Sequence, residues 1–186
     1  ITEMAVALGL DWVLIDAEHG HLDWKDINSH ISATLRSDTV VLVRIAERST
    51  ILCKRALDIG ADGIMIPWME KVEDVEEAVR DCLYPPEGRR GIGGERASAW
   101  GQCLNEHTAE ANENVLIVPM IESIAAIPNV ASMCKIDGID MFFFGPADFS
   151  STAGFRGQWE GPGVAEQILS LKDTIKAAGK HCGVVS

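Results

Sequence analysis

The sequence predicts an α/β fold of the (β/α)8, or TIM, barrel type, assembled from about six strand–helix units and incomplete at both ends. Three observations predict it. Apolar runs of strand length recur at residues 12–16, 39–45, 63–68, 115–121, 139–144 and 182–185, with helix-patterned stretches between them. The runs are continuous rather than alternating, as expected of parallel strands covered on both faces. Charged side chains gather at the C-terminal ends of four of them, the rim on which a parallel barrel builds its active face. An open doubly wound sheet would instead concentrate its ligand groups at one switch point. A full barrel takes roughly 250 residues and eight strands. The chain has 186 residues, so residues 1–186 read as one barrel domain that lacks pieces at its ends.

The first run, WVLID, is followed by a helical pattern over 24–35, and the second, TVVLVRI, by one over 50–59 that stops at Gly60. A helix over 72–83 follows the third run, GIMIPW. The fourth and fifth, VLIVPMI and IDMFFF, flank a helical pattern over 124–134. A final helix over 164–178 stops at Gly179 before the sixth run, a Gly stop leading into a strand. Strand starts in the regular units fall roughly 23–28 residues apart, the length of one βα module. Two intervals are longer, the glycine-rich stretches 84–100 and 151–163. Long insertions beside a rigid scaffold are where substrate-handling loops tend to lie.

Composition narrows the function classes. With 16 basic against 28 acidic side chains, the net charge of −12 disfavours nucleic-acid and anionic membrane surfaces. The apolar runs are too short for a membrane span, and the N-terminal segment has no basic n-region or apolar h-region of a secretory signal. Five scattered cysteines without a CxxC pair argue against a disulfide framework or zinc knuckle, and point to a reducing, cytoplasmic setting. Gly88, Gly91, Gly93 and Gly94 do not spell GxGxxG after a strand, which argues against nucleotide binding. Ser98 and Ser150 lack the histidine arrangement of a serine hydrolase.

The chemistry-bearing residues sit at strand ends. Glu122 and Asp148 follow consecutive strands and suit two oxygen ligands on a hard divalent cation, or equally two rim carboxylates that cap helices. Asp16 and His19 form a DxxH in which the acid is placed to orient the imidazole, a pattern that surface turns also carry. Arg44 lies in an otherwise aliphatic strand. Burying a guanidinium is costly without an anion, so it should face a carboxylate of the protein or of a substrate. Gly145, Pro146, Ala147 and Asp148 form a turn placed to present backbone N–H groups to an anion at a helix start.

Taken together, IDAEHG (15–20), VLVR (41–44), ALDIGADGIMIP (56–67), YPPEGRRGIG (84–93), RASAW (96–100), PMIES (119–123) and FFGPADFS (143–150) resemble the HpcH/HpaI aldolase family, the metal-dependent pyruvate aldolases related to 4-hydroxy-2-oxo-heptanedioate aldolase. The resemblance implies a (β/α)8 barrel that cleaves 4-hydroxy-2-oxo acids to pyruvate and an aldehyde, or runs the reverse addition. By motif it implies Glu122 and Asp148 as ligands of Mg²⁺, Mn²⁺ or Co²⁺. Asp16 and His19 become the dyad that handles the aldol hydroxyl proton, and Arg44 the group over the 2-keto oxygen. Gly145, Pro146, Ala147 and Asp148 hold the pyruvate carboxylate. It also implies a homo-oligomer, a hexamer in some members. The family's first strand is expected before Ile1, and its eighth strand and last helix after Ser186. Met120 stands where many bacterial members have a glutamine, a position at which methionine donates no hydrogen bond.

Three other readings compete. A CoA-thioester lyase of the citrate-lyase β type requires a basic groove, for which Arg89, Arg90 and Arg96 are the candidates. An oxaloacetate decarboxylase that traps the enolate is a second. A non-catalytic barrel that scaffolds a partner through exposed sheet edges is a third.

Overall fold

The computed structural model describes residues 1–185. The chain divides into two compact units, residues 1–65 with 80–116, and residues 66–79 with those from 117 on.

The first unit carries α1 (Thr2–Ala7), β1 (Trp12–Asp16), α2 (Trp24–Ser32), β2 (Val40–Arg44), α3 (Thr50–Asp58) and most of β3 (Gly63–Ile66). β1 pairs parallel with β2, with Trp12 opposite Val40 and Asp16 opposite Arg44. β2 pairs parallel with β3, with Arg44 opposite Met65. Val41, Leu42 and Val43 are buried, as are Ile64 and Met65, which is the two-sided burial their continuous apolar runs predict. The helices start where the sequence supplies a cap. Asp23 accepts from the Lys25 and Asp26 backbone N–H groups while Asp26 accepts from Asp23 N–H, a reciprocal capping box on α2. Ser49 Oγ accepts from Leu52 N–H at the start of α3.

α4 (Val72–Cys82) comes next in the chain. The loop after it closes onto the first unit through Arg89 and Arg90, and α5 (Leu104–Asn114) ends it. Arg89 Nε donates to the fully buried Asp81 at 2.7 Å, and Arg90 Nη2 to Asp58 at 2.9 Å. Both arginines thus pair with carboxylates of the unit, Arg89 from an exposed position and Arg90 from a buried one. The 84–100 segment is anchored to the unit by the buried Tyr84, Arg90 and Ser98, while Ile92 and Trp100 are exposed.

The second unit holds β4 (Leu116–Ile121) beyond its first residue, α6 (Val130–Met133), β5 (Met141–Phe144), α7 (Pro146–Thr152), α8 (Val164–Ala177) and β6 (His181–Val184). β5 pairs parallel with β4, Ile121 opposite Phe144, and with β6, Phe144 opposite Val184. Phe142, Phe149, Val130, Met133 and Ile175 fill its interior. The helix expected over 124–134 forms as a 3-10 segment, Ile124–Asn129, followed by the short α6. Pro128 explains the break, since it has no N–H to continue an i to i−4 ladder. α1 and α7 are additional short helices that the periodicity of the chain does not announce.

Gly63 opens β3 at a close approach of two strands. A Cβ there would lie 2.4 Å from the Leu116 carbonyl oxygen and 2.7 Å from Leu42 Cδ2. Gly63→Ala is expected to destabilise the protein by about 1–3 kcal/mol through this overpacking, seen as a fall of several degrees in Tm. An unchanged Tm would show that the strands do not approach so closely.

Candidate functional site

Each unit brings a group of the sequence-predicted residues to the C-terminal ends of its strands. In the first unit the in-register pairing of β1 and β2 sets Asp16 beside Arg44. Arg44 Nε donates to Asp16 Oδ1 at 2.9 Å and Nη2 to Asp16 Oδ2 at 2.5 Å, a bidentate pair. Arg44 Nη1 lies 3.2 Å from Glu18 Oε2, and the Glu18 side chain is only 10% exposed. The guanidinium thus meets two carboxylates of the protein.

Asp16 also accepts the backbone N–H groups of Glu18 at 3.0 Å and His19 at 3.3 Å, which folds residues 16–19 into a tight turn. Its contact with His19 runs through the backbone. The His19 imidazole is 69% exposed, with Nε2 4.0 Å from Glu18 Oε2. Asp16 and His19 nevertheless line one cleft of about 350 Å³, together with His21 and His30. Burial by itself would raise the Asp16 carboxyl, but the Arg44 hydrogen bonds and the two backbone N–H groups outweigh it and hold it below the usual range.

In the second unit Glu122 stands directly after β4 and is 2% exposed. Its Oε1 accepts the Trp68 backbone N–H at 2.7 Å. Trp68 takes φ 56°, a left-handed conformation that costs a bulky residue free energy and that carries this N–H. Gly145, after β5, donates its N–H to the Ile121 carbonyl at 3.2 Å. A Cβ at Gly145 would lie 2.5 Å from Glu122 Oε2, so the absence of a side chain there leaves the space the carboxylate occupies. Pro146 and Ala147 begin α7, and Asp148 sits in its first turn. The β5–α7 junction therefore presents Gly145 against Glu122 and Asp148 just beyond it.

Glu18, which the sequence places in the charged cluster after the first strand without a role, and Trp68, which it passes over, are the further site residues. The DAEH spacing places Glu18 on the same turn as Asp16, which is a signal for a second acid at Arg44. Nothing in the sequence marks Trp68, whose part is played by a backbone N–H in an uncommon conformation.

Parallel βα units that carry charged side chains at the C-terminal ends of their strands have the arrangement on which α/β barrel folds build their active sites. A family model described as HpcH/HpaI aldolase/citrate lyase matches residues 1–186, and the chain belongs to that family. The chain is 35% identical over 185 residues to a 4-hydroxy-2-oxovalerate aldolase of Rhodococcus jostii, covering 99% of this chain and 71% of the relative. It is 36% identical over 180 residues to a hydroxypyruvate/pyruvate aldolase of Roseobacter denitrificans, covering 96% and 70%. The crystal structure of a family protein from Burkholderia cenocepacia superposes with a TM-score of 0.94 at 32% identity, over 100% of this chain and 74% of that one. The six strand–helix units are accordingly those of the family's barrel, incomplete as the sequence predicts.

The Asp16 pair has a pH signature. A carboxyl whose folded pKa is depressed adds stability above its unfolded value of about 3.9 and loses it as the pH falls through the folded value. Stability measured by denaturant unfolding should therefore drop on acidification below about pH 4, and Asp16→Asn should flatten that part of the profile. An identical acid limb in the variant would show that Asp16 is not held ionised by Arg44.

Proposed function

We propose that this protein is a divalent-metal-dependent pyruvate aldolase that cleaves a 4-hydroxy-2-oxo acid to pyruvate and an aldehyde, or runs the reverse addition. The observation that carries the reading is Glu122, a carboxylate buried at a strand end against a glycine too close to bear a Cβ. The aldolase names of the relatives support the same reaction class.

Glu122 and Asp148 fit a hard cation by donor type, since Mg²⁺, Mn²⁺ and Co²⁺ accept carboxylate oxygens. Among the described residues no cluster of three or more His, Cys, Asp and Glu groups forms a complete cage. In the proposed reading the cation is held by these one or two carboxylates and completed by solvent and substrate. When bound, such a cation supplies Lewis acidity at the 2-keto oxygen.

The chain's own residues handle the rest of the reaction. His19, on the Asp16 turn, takes the proton from the substrate C4 hydroxyl. The C3–C4 bond then breaks, the C4 oxygen becomes the aldehyde carbonyl, and the electron pair moves through C3 to leave an enolate oxygen on C2. Arg44 donates to that oxygen, and its orientation is fixed by Asp16 and Glu18 before substrate arrives, so little reorganisation accompanies the charge. Gly145, Pro146, Ala147 and Asp148 form the turn against which the pyruvate carboxylate rests. Protonation of C3 completes pyruvate. No lysine Schiff base enters the scheme, in keeping with strand ends that carry none.

The buried or half-buried cysteines are all free, and no helix among the described residues is long and apolar enough to cross a membrane. The free cysteines are in keeping with the reducing cytoplasmic setting proposed for the protein, and a homo-oligomer is proposed from the resemblance.

The test is pyruvate release from 4-hydroxy-2-oxo acids with Mg²⁺ or Co²⁺. Release should stop with chelator and return with added cation, and Arg44→Ala should lower kcat by about 10²–10³, the usual loss for an oxyanion donor, with metal binding retained. Chelator-insensitive release would remove Glu122 and Asp148 from the mechanism. Absence of pyruvate from the folded chain would overturn the reading.

A further inference from the structure

At the opposite, N-terminal ends of the first unit's strands lies a cavity of about 360 Å³, walled by α2, α3, α5 and the loop from 90 to 97. It is unconnected with the residues assigned above, and its size falls at the lower end for small-molecule sites. Gly60, Ala61 and Asp62, which lead into β3, form part of its lining.

Three of its side chains carry buried nitrogen atoms without a hydrogen-bond partner: Arg90 Nε, Arg96 Nη2 and His107 Nε2. Arg90 is 3% exposed. Its Nη2 is neutralised by Asp58 at 2.9 Å, and its guanidinium stacks on Tyr84, 4.4 Å from the ring centroid. The stack fixes the direction of the unpartnered Nε. His107 meets the same tyrosine edge-on. Arg96 reaches only neutral acceptors, Asn28 Oδ1 and the Ile59 carbonyl, each at 3.3 Å through Nη1. Among the described residues no carboxylate lies within ion-pair distance of it. The two acidic residues of the lining, Asp62 and Glu110, are exposed, and Asp62 is engaged by the Val41 N–H at 2.7 Å.

A buried unpaired donor is costly, and a partly buried unpaired cation more so. Three side chains that line one cavity each carry such a nitrogen, which is available to an added acceptor. Its chemistry follows from the donors. A guanidinium with no anionic partner needs a negative charge, and the N–H groups of two arginines, with His107 in the tautomer protonated at Nε2, suit an acceptor with several oxygens. We propose that this cavity is a binding site for a small oxyanion, a carboxylate or phosphate group, held by Arg90, Arg96 and His107. Occupancy would tie the 90–97 loop to α2, α3 and α5 at the end of the unit remote from Asp16 and Arg44. The burial and the Arg90 charge that hold the His107 pKa below its usual value agree with a site whose resident anion is not part of the protein.

The experiment titrates the whole chain, in chloride buffer, with inorganic phosphate and separately with malonate, following the His107 Cε1–H resonance. A saturable shift is expected, with the tighter of the two probes identifying the oxyanion class. Arg96→Gln should weaken the apparent affinity at least tenfold while leaving the rest of the spectrum folded. His107→Phe should weaken binding measured by calorimetry. A resonance that does not move, or a shift whose affinity is the same in Arg96→Gln, would overturn the site and show that water alone satisfies these nitrogens. Pyruvate-forming activity plays no part in the readout, so failure here leaves the proposed reaction untouched.

Discussion

The parallel pairing of β1 with β2 in a single register is the constraint on which the first unit's chemistry depends. Because Asp16 stands opposite Arg44, the last residue of each strand meets the other across the ladder. A guanidinium 17% exposed at a strand end would be costly to desolvate alone. The bidentate carboxylate, with Glu18 closing on the third nitrogen, compensates that cost and fixes the plane of the group. A slip of one residue would turn Arg44 to the opposite face and break the pair, so the aliphatic residues Val41 to Val43 that set the register also set the arginine. Packing in the strand and geometry at its end are thus one property.

The second unit reaches a similar end by different means. Glu122 is positioned by a backbone N–H from a left-handed tryptophan and by the space that a glycine leaves. Neither of these two contacts is an ion pair. Asp16 is thus met by an arginine side chain, whereas the Trp68 contact to Glu122 comes from the backbone. That difference fits the separate parts proposed for Arg44 and Glu122, on the substrate oxygen and on a cation.

Much of this was legible in the sequence, and the remainder was not for identifiable reasons. Continuous apolar runs located all six strands because burial on both faces leaves no polar alternation to obscure them. Arg44 stood out because it interrupts such a run, and its need for a carboxylate followed from desolvation cost. That the partners would be two acids of the chain itself, Asp16 and Glu18, depended on register, which periodicity does not encode. Asp16 meets His19 through the backbone because the arginine claims its oxygens. The 124–134 segment was misjudged as continuous helix because Pro128 acts on the backbone rather than on the hydrophobic pattern. The cavity nitrogens of Arg90, Arg96 and His107 were beyond reach, since RRGIG and RASAW reveal three arginines but not which of their N–H groups find acceptors.

The claim at the centre of this account is that the Arg44 guanidinium, set by strand register, holds Asp16 ionised. The direct measurement is the Asp16 carboxyl pKa by NMR in the wild-type protein and in Arg44→Met. Asp16 is expected below the ordinary 3.9 in the wild type and higher in the variant, where burial acts against the charge with less opposing it. The same depressed value in both proteins would contradict it.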